Sequence, residues 1–221
     1  NIIIKGNTKT KDYVIRREIP LEPGDVFSRD KVMQGIRNLY NLQYFSSVVP
    51  EPMPGSENNL VDLVFTVEEQ STTTLEFGMT FSGVSDPDDF PISLFARWQN
   101  SNLRGEGRSV STGTNISNTS QTVNASYGQN WLFDLPIGIS ESISFSHSKE
   151  SSLRLQVLND GTVSDDEYYM QFESWGVTFS SSIGRRWLPD FAILQLNGGL
   201  STLLNNNVYD QGIYIPHDSS I

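Results

Sequence analysis

The chain has 221 residues and a formal net charge of −11. Such acidity presents no basic face to phosphates, so nucleic acid is disfavoured as a partner. There is no cysteine, which excludes disulfides, thiolate zinc sites and a cysteine nucleophile, and the two histidines, His147 and His217, are too few for a zinc cluster. No metal, no cofactor and no enzymatic activity is expected. No apolar run approaches the roughly 20 residues that a transmembrane helix needs. Mean hydropathy is −0.33, but strands of a membrane barrel alternate and hide their apolar face from averages. The chain starts abruptly in the strand-like NIIIKGN, from which we expect a piece of a longer protein.

Residues 1–70 read as mixed α and β. NIIIKG is a short β-rich run closed by the turn pair Gly6-Asn7. Thr10 is placed to cap a helix through KDYVIRRE, with Val14 and Ile15 on its inner side. LEPGD breaks the chain. Ser28 then caps a second helix over about Arg29 to Asn41, where Val32, Met33, Ile36, Leu39 and Tyr40 follow the spacing of one buried stripe. YFSSVVP and LVDLVFTVEE read as strands, the latter with Val61, Leu63, Phe65 and Val67 on one face. The order β-α-α-β-β predicts a three-stranded sheet with both helices on one face and Ile36, Tyr40, Leu63 and Phe65 in the core.

From Thr72 onward the period changes to two. In STTTLEFGMTFSG, Leu75, Phe77, Met79 and Phe81 alternate with Glu76, Gly78, Thr80 and Ser82. Six further strands follow, in ISLFARWQN, RSVSTGTNIS, TVNASYGQN, IGISESISFSHS, EYYMQFESWGVTFSSSI and FAILQLNGGLSTL. In the sixth of the seven, Tyr168, Met170 and Phe172 lie on one parity and Trp175, Val177 and Phe179 on the other, which predicts a bulge near Ser174. Long polar connections (83–90, 150–166) alternate with short ones (101–108, 131–136, 184–190), although the third connection of the polar set, SNTSQ, is short and breaks the rule. The faces mix Trp, Tyr and Phe with small residues. This is the pattern of an antiparallel transmembrane β-barrel more than of a soluble sandwich, although a sandwich shares the alternation. The long loops are expected outside the cell and the short turns in the periplasm.

These residues carry a resemblance. KGNTKTKDYVIRREI, PGDVFSRDKVMQGIRNLYNLQYFSSV and VDLVFTVEEQ resemble the membrane-proximal POTRA domain of the BamA family, the bacterial outer-membrane protein insertases. TLEFGMTFSG and WQNSNLRGEG resemble that family's first two barrel strands and first periplasmic turn. The resemblance implies an α+β POTRA domain at 1–70 and, at 71–221, the N-terminal portion of an outer-membrane barrel, partial at about seven strands where the family has sixteen. It implies a place in the bacterial outer membrane with the POTRA domain in the periplasm. The implied partners are unfolded outer-membrane clients, accessory assembly lipoproteins and outer-membrane lipid. The first barrel strand would be a lateral gate that templates client strands by β-augmentation. Leu75, Phe77, Met79 and Phe81 would face lipid, and Glu76, Gly78 and Thr80 the lumen, with Gly78 weakening local packing so that the seam opens. Arg16, Arg17, Glu18 and Glu22 in RREIPLE are the candidate accessory-protein contact, set against a plain helix end and loop. Two alternatives remain open: a two-partner-secretion-type translocation pore, and a soluble β-rich binding module.

Other motifs weigh less. Ser146 and Lys149 have the S-x-x-K spacing, but that chemistry wants one helical turn, and here a strand end puts the two on opposite faces. Asp86, Asp88 and Asp89 lack the glycine and distal Glu of a calcium loop. Asn115, Asn118 and Asn124 fall in sequons but read as strand and loop residues. Trp131 and Trp187 read as end-of-strand aromatics at lipid headgroup level. Glu68, Glu69 and Gln70 read as a polar hinge or a partner contact.

Overall fold

The structure, a computed structural model, describes residues 1–57, 60–81, 92–157, 163–187 and 194–209. Asp86, Asp88, Asp89, the loop at 83–90 and the side chains of Tyr168, Met170 and Trp187 lie outside what is described.

The first part runs β1 (Ile2–Lys5), α1 (Asp12–Arg16), α2 (Arg29–Asn41), β2 (Phe45–Pro54) and β3 (Val61–Glu69). The sheet order is β1-β3-β2. β1 pairs parallel with β3 from Ile2↔Leu63 to Lys5↔Thr66, and β2 pairs antiparallel with it. Leu63, Phe65 and Val67 point from the central strand into a core with Val14, Ile15, Val32 and Leu39. Val64, on the reverse face, is buried as well. Gly6 closes β1 with φ +91, and a Cβ there would collide with the Val67 carbonyl, so the turn requires glycine.

Two details differ from the sequence reading. α2 buries Val32, Gly35 and Leu39 and half-buries Ile36, but Met33 and Tyr40 stand exposed at the edge of the stripe. Tyr40 keeps a role through its hydroxyl, which accepts the Val48 N–H at 3.2 Å. Thr10 caps no helix. α1 begins after Lys11 without a side-chain cap, and Thr10 is buried for another purpose. Ser28 does cap α2, accepting the Lys31 N–H.

The second part is β4 (Thr73–Phe81), β5 (Ile92–Asn100), β6 (Arg108–Ile116), β7 (Ser120–Gln129), β8 (Ile137–Val157), β9 (Val163–Trp187) and β10 (Leu194–Tyr209). They form one antiparallel seven-stranded sheet in chain order, with β4 and β10 at its ends. β9 and β10 pair without a slip from Phe172↔Tyr209 to Trp187↔Leu194, so the bulge expected near Ser174 is absent from this pairing. The parity change is a change of face content, with Phe172 on the face of Ser174 and Gly176. β8 and β9 are also longer than the sequence reading. Much of the supposed loop at 150–166 is strand, because Leu153, Leu155 and Val157 alternate with polar residues and continue the period of two. Gly184–Trp187 likewise remains strand.

The chain divides into two compact units. One joins Asn1–Leu75 to Trp98–Ser111 and Tyr127–Ile139, the ends of four strands and their two turns. The other holds Glu76–Arg97, Thr112–Ser126 and Ser140–Ile221.

Candidate functional site

β4 is an end strand of the sheet, with β5 as its neighbour. Its other edge therefore presents backbone N–H and C=O groups that no described strand pairs. Leu75, Phe77, Met79 and Phe81 are 67%, 79%, 72% and 72% exposed. Side chains this apolar are normally hidden from water, and a row of four on one parity is an extended apolar face. Glu76 and Thr80 are exposed on the other parity. Gly78 has a packing role of its own. A Cβ built there would lie 2.8 Å from the Phe95 ring, so the glycine makes room for an aromatic of β5 to lie across β4.

The base of β4 is tied down. Asn100 donates to the Thr73 hydroxyl at 3.0 Å, and the Ser101 N–H donates to the Thr72 carbonyl at 2.9 Å. Of Glu68, Glu69 and Gln70, the last two are held by hydrogen bonds and Glu68 is exposed. The Gln70 backbone N–H donates to the Tyr44 carbonyl, and its side chain donates to the Gln43 carbonyl. The Glu69 carboxylate accepts the N–H groups of Thr8, Lys9 and Thr10 and the Thr8 hydroxyl. Burial alone would push this carboxyl up, but those donors outweigh it and hold the pKa at about 2.

The loop that Glu69 holds is the seat for the first short turn. Asn102, 6% exposed, donates to the Thr10 hydroxyl at 2.9 Å and accepts the Gly107 N–H at 2.8 Å. The Lys11 N–H donates to the Gly105 carbonyl, and the Tyr44 hydroxyl donates to the Ser101 carbonyl. Gly105, at φ +74, passes so close to the Lys9 carbonyl that no Cβ fits.

The second short turn is held by two of the four RREIPLE candidates. Trp131 donates its indole N–H to Glu18 at 2.9 Å, and the Arg17 guanidinium lies 5.4 Å from the Trp131 ring and 5.7 Å from that of Tyr13. Burial raises the Glu18 pKa, against the Trp131 hydrogen bond and Arg17, and burial lowers that of Arg17. Both side chains are largely enclosed within this unit. Trp131 thus meets protein where headgroup contact was expected. Arg16 bonds Asp12 and the Ile2 carbonyl, and Glu22 is exposed. Trp131 and Asn102 could not be singled out for these contacts, because no local spacing links them to residues 113 and 92 positions away.

Ser146 lies within β8 and Lys149 faces Glu173 at 3.9 Å, so no nucleophile pair forms. No group of three or more metal-ligating side chains occurs among the described residues.

Residues 1–70 match the family model POTRA, "Surface antigen variable number repeat". The whole chain is 36% identical over 238 residues to a Treponema pallidum (strain Nichols) protein provisionally named as an outer membrane protein assembly factor, and it spans 28% of that relative's length. Shorter stretches match assembly factors named BamA from other bacteria. The fold aligns with BamA of Haemophilus ducreyi lacking POTRA domains 1-3 at a TM-score of 0.60 and 16% identity, over 95% of this chain and 43% of that one. It aligns with CdiB from Escherichia coli at 0.63 and 17%, over 96% and 38%. The chain is therefore an outer-membrane protein of the class that joins a periplasmic POTRA domain to β-barrel strands. Within that class, its sequence makes it a relative of the BamA-family assembly factors.

Proposed function

We propose that the chain is the part of an outer-membrane protein insertase in which client strands are received. Residues 1–70 are the membrane-proximal POTRA domain, and 71–221 the N-terminal portion of the barrel. The observation that carries this reading is the position of β4, an end strand whose outer backbone edge no described strand pairs and which bears a row of apolar side chains. Such an edge templates an incoming strand by main-chain hydrogen bonding, which needs no catalytic side chain and no cofactor. Leu75, Phe77, Met79 and Phe81 meet lipid, and Glu76, Gly78 and Thr80 the lumen. The POTRA domain receives clients or accessory lipoproteins. Its half-exposed Arg16 and exposed Glu22 are open to such contacts, whereas Arg17 and Glu18 serve the Trp131 turn.

In the full-length protein, a cysteine at Glu76 or Thr80 should crosslink to one in a client's terminal strand, with no native cysteine in this chain to interfere. A covalent tether from β4 to the closing barrel strand should block client insertion. Insertion at the normal rate by the tethered protein would exclude lateral opening. The likeness to CdiB supports a second reading, a translocation pore for one dedicated passenger. In that case unrelated client strands would fail to crosslink.

A further inference from the structure

We propose that the apolar parity of β7, β8 and β9 carries a binding site for one zwitterionic glycerophospholipid. The site is a groove of about 460 Å³ lined by Val123, Phe145, His147, Trp175, Val177 and Leu204. Val177 faces Leu204 across the β9–β10 pair, and Val123, Phe145, Trp175 and Leu204 are half-exposed or more, so the groove opens on the face that continues the apolar parity. One end of it is charged. The His147 ring stacks on Trp175 with centroids 4.0 Å apart, and its Nδ1 meets Gln121 Oε1. Its Nε2 is buried without a hydrogen-bond partner, 3.5 Å from Glu173 Oε2. Lys149 Nζ stands 3.9 Å from the other Glu173 oxygen, too far for a hydrogen bond, with both side chains about half-exposed.

Depth follows from strand length. β6 and β7 span 9 and 10 residues between the turns at 101–107, 117–119 and 131–136, which is one bilayer crossing. The turn at 117–119 is closed by Ser117 and Ser120, and the Lys149 N–H donates to the Thr119 carbonyl. Lys149 is thus level with the end of the crossing, where headgroups begin, and Val123, Phe145 and Val177 lie deeper. Charges on an outward face are tolerated at this level and costly at the midplane. An ammonium and a carboxylate side by side above an apolar groove complement a headgroup that carries both signs. The lipid phosphate meets Lys149, its amine meets Glu173, and an acyl chain lies along the groove. A purely anionic headgroup would satisfy Lys149 but be repelled by Glu173.

The test uses the full-length protein and needs only the outward-face assignment, not lateral opening. The protein is placed in nanodiscs of equal phosphatidylethanolamine and phosphatidylglycerol, stripped with mild detergent, and the retained lipid is counted by native mass spectrometry. The amine–Glu173 pair, which phosphatidylglycerol cannot form, predicts up to about five-fold more retained phosphatidylethanolamine. The near-isosteric Glu173→Gln, alone and with Lys149→Met, should bring the ratio to about one. Equal retention by the unmodified protein, a preference for phosphatidylglycerol, or an unchanged ratio in both variants overturns the site. Leu200→Cys carrying a nitroxide reads the face separately. Access to oxygen over a polar nickel complex supports the outward assignment, and the reverse overturns it together with this site.

Discussion

The POTRA domain and the barrel strands use the same side chains in opposite ways. Phe65 and Leu39 are fully buried between a sheet and two helices, whereas Phe77 and Met79, no less apolar, are almost bare on β4. The first arrangement removes apolar surface from water inside the chain. The second makes sense only if the surroundings are themselves apolar, so that the fold hides polar groups and leaves hydrocarbon outside. The comparison teaches that exposure is a statement about the solvent as much as about the protein.

The strongest way to break this comparison is truncation on each side. Phe65→Ala should destabilise the POTRA domain by about 3–5 kcal/mol in urea unfolding, through lost transfer energy and a cavity. Phe77→Ala should leave that transition unmoved, since Phe77 packs in no core. A shift from Phe77→Ala in the POTRA transition would mean that β4 is part of that core after all.

Charge sharpens the assignment of faces. Phe77→Lys should cost about 2–4 kcal/mol of barrel stability in bilayers if it lies near the midplane, whereas Thr80→Lys should be tolerated. Equal tolerance at the two positions would reverse or erase the face assignment of β4.

The contact between the POTRA domain and the second short turn gives a smaller effect. Glu18→Ala leaves the Trp131 N–H unpaired and should cost about 1–3 kcal/mol. Glu18→Gln keeps an acceptor and loses the burial cost of the charge, so it should stay near wild type at neutral pH. The raised pKa of Glu18 fixes the sign of its pH dependence. Its contribution is fully present below the unfolded value and declines as pH rises through the folded value. Unfolding followed by Trp fluorescence across that range should show the decline in the wild type and not in Glu18→Gln.

Glu69 has the opposite sign. Its folded pKa of about 2 lies below the unfolded value of about 4.3. Its stabilisation is present above pH 4.3 or so and is lost as pH falls towards 2. The carboxylate is partly exposed to solvent, so screening reduces the effect to about 1 kcal/mol. Acid titration of wild type against Glu69→Gln should converge at the low end of that window. Curves that stay parallel would mean the three N–H donors do not discriminate the charged form.

Much of the molecule follows from periodicity alone. The 3.6-residue spacing of Val32, Ile36 and Leu39 and the two-residue spacing of Leu75 to Phe81 specify helix and strand, because a side chain's direction is set by backbone geometry within a few residues. Turn glycines such as Gly6 are legible for the same local reason. Seven strands in chain order need only hairpin connections, so their succession is legible too. The limits appear at residues whose partners are distant. Thr10 looked like a helix cap and instead meets Asn102. Gly78 looked like a weak point, and what it underlies is Phe95. Trp131 looked like an interfacial aromatic and instead binds Glu18 and Arg17. Nor did any spacing bring Gln121, His147 and Glu173 together on one face. A sequence pattern constrains which way a side chain points, but the neighbour it finds there depends on how separate elements pair and pack, and only the tertiary structure decides that.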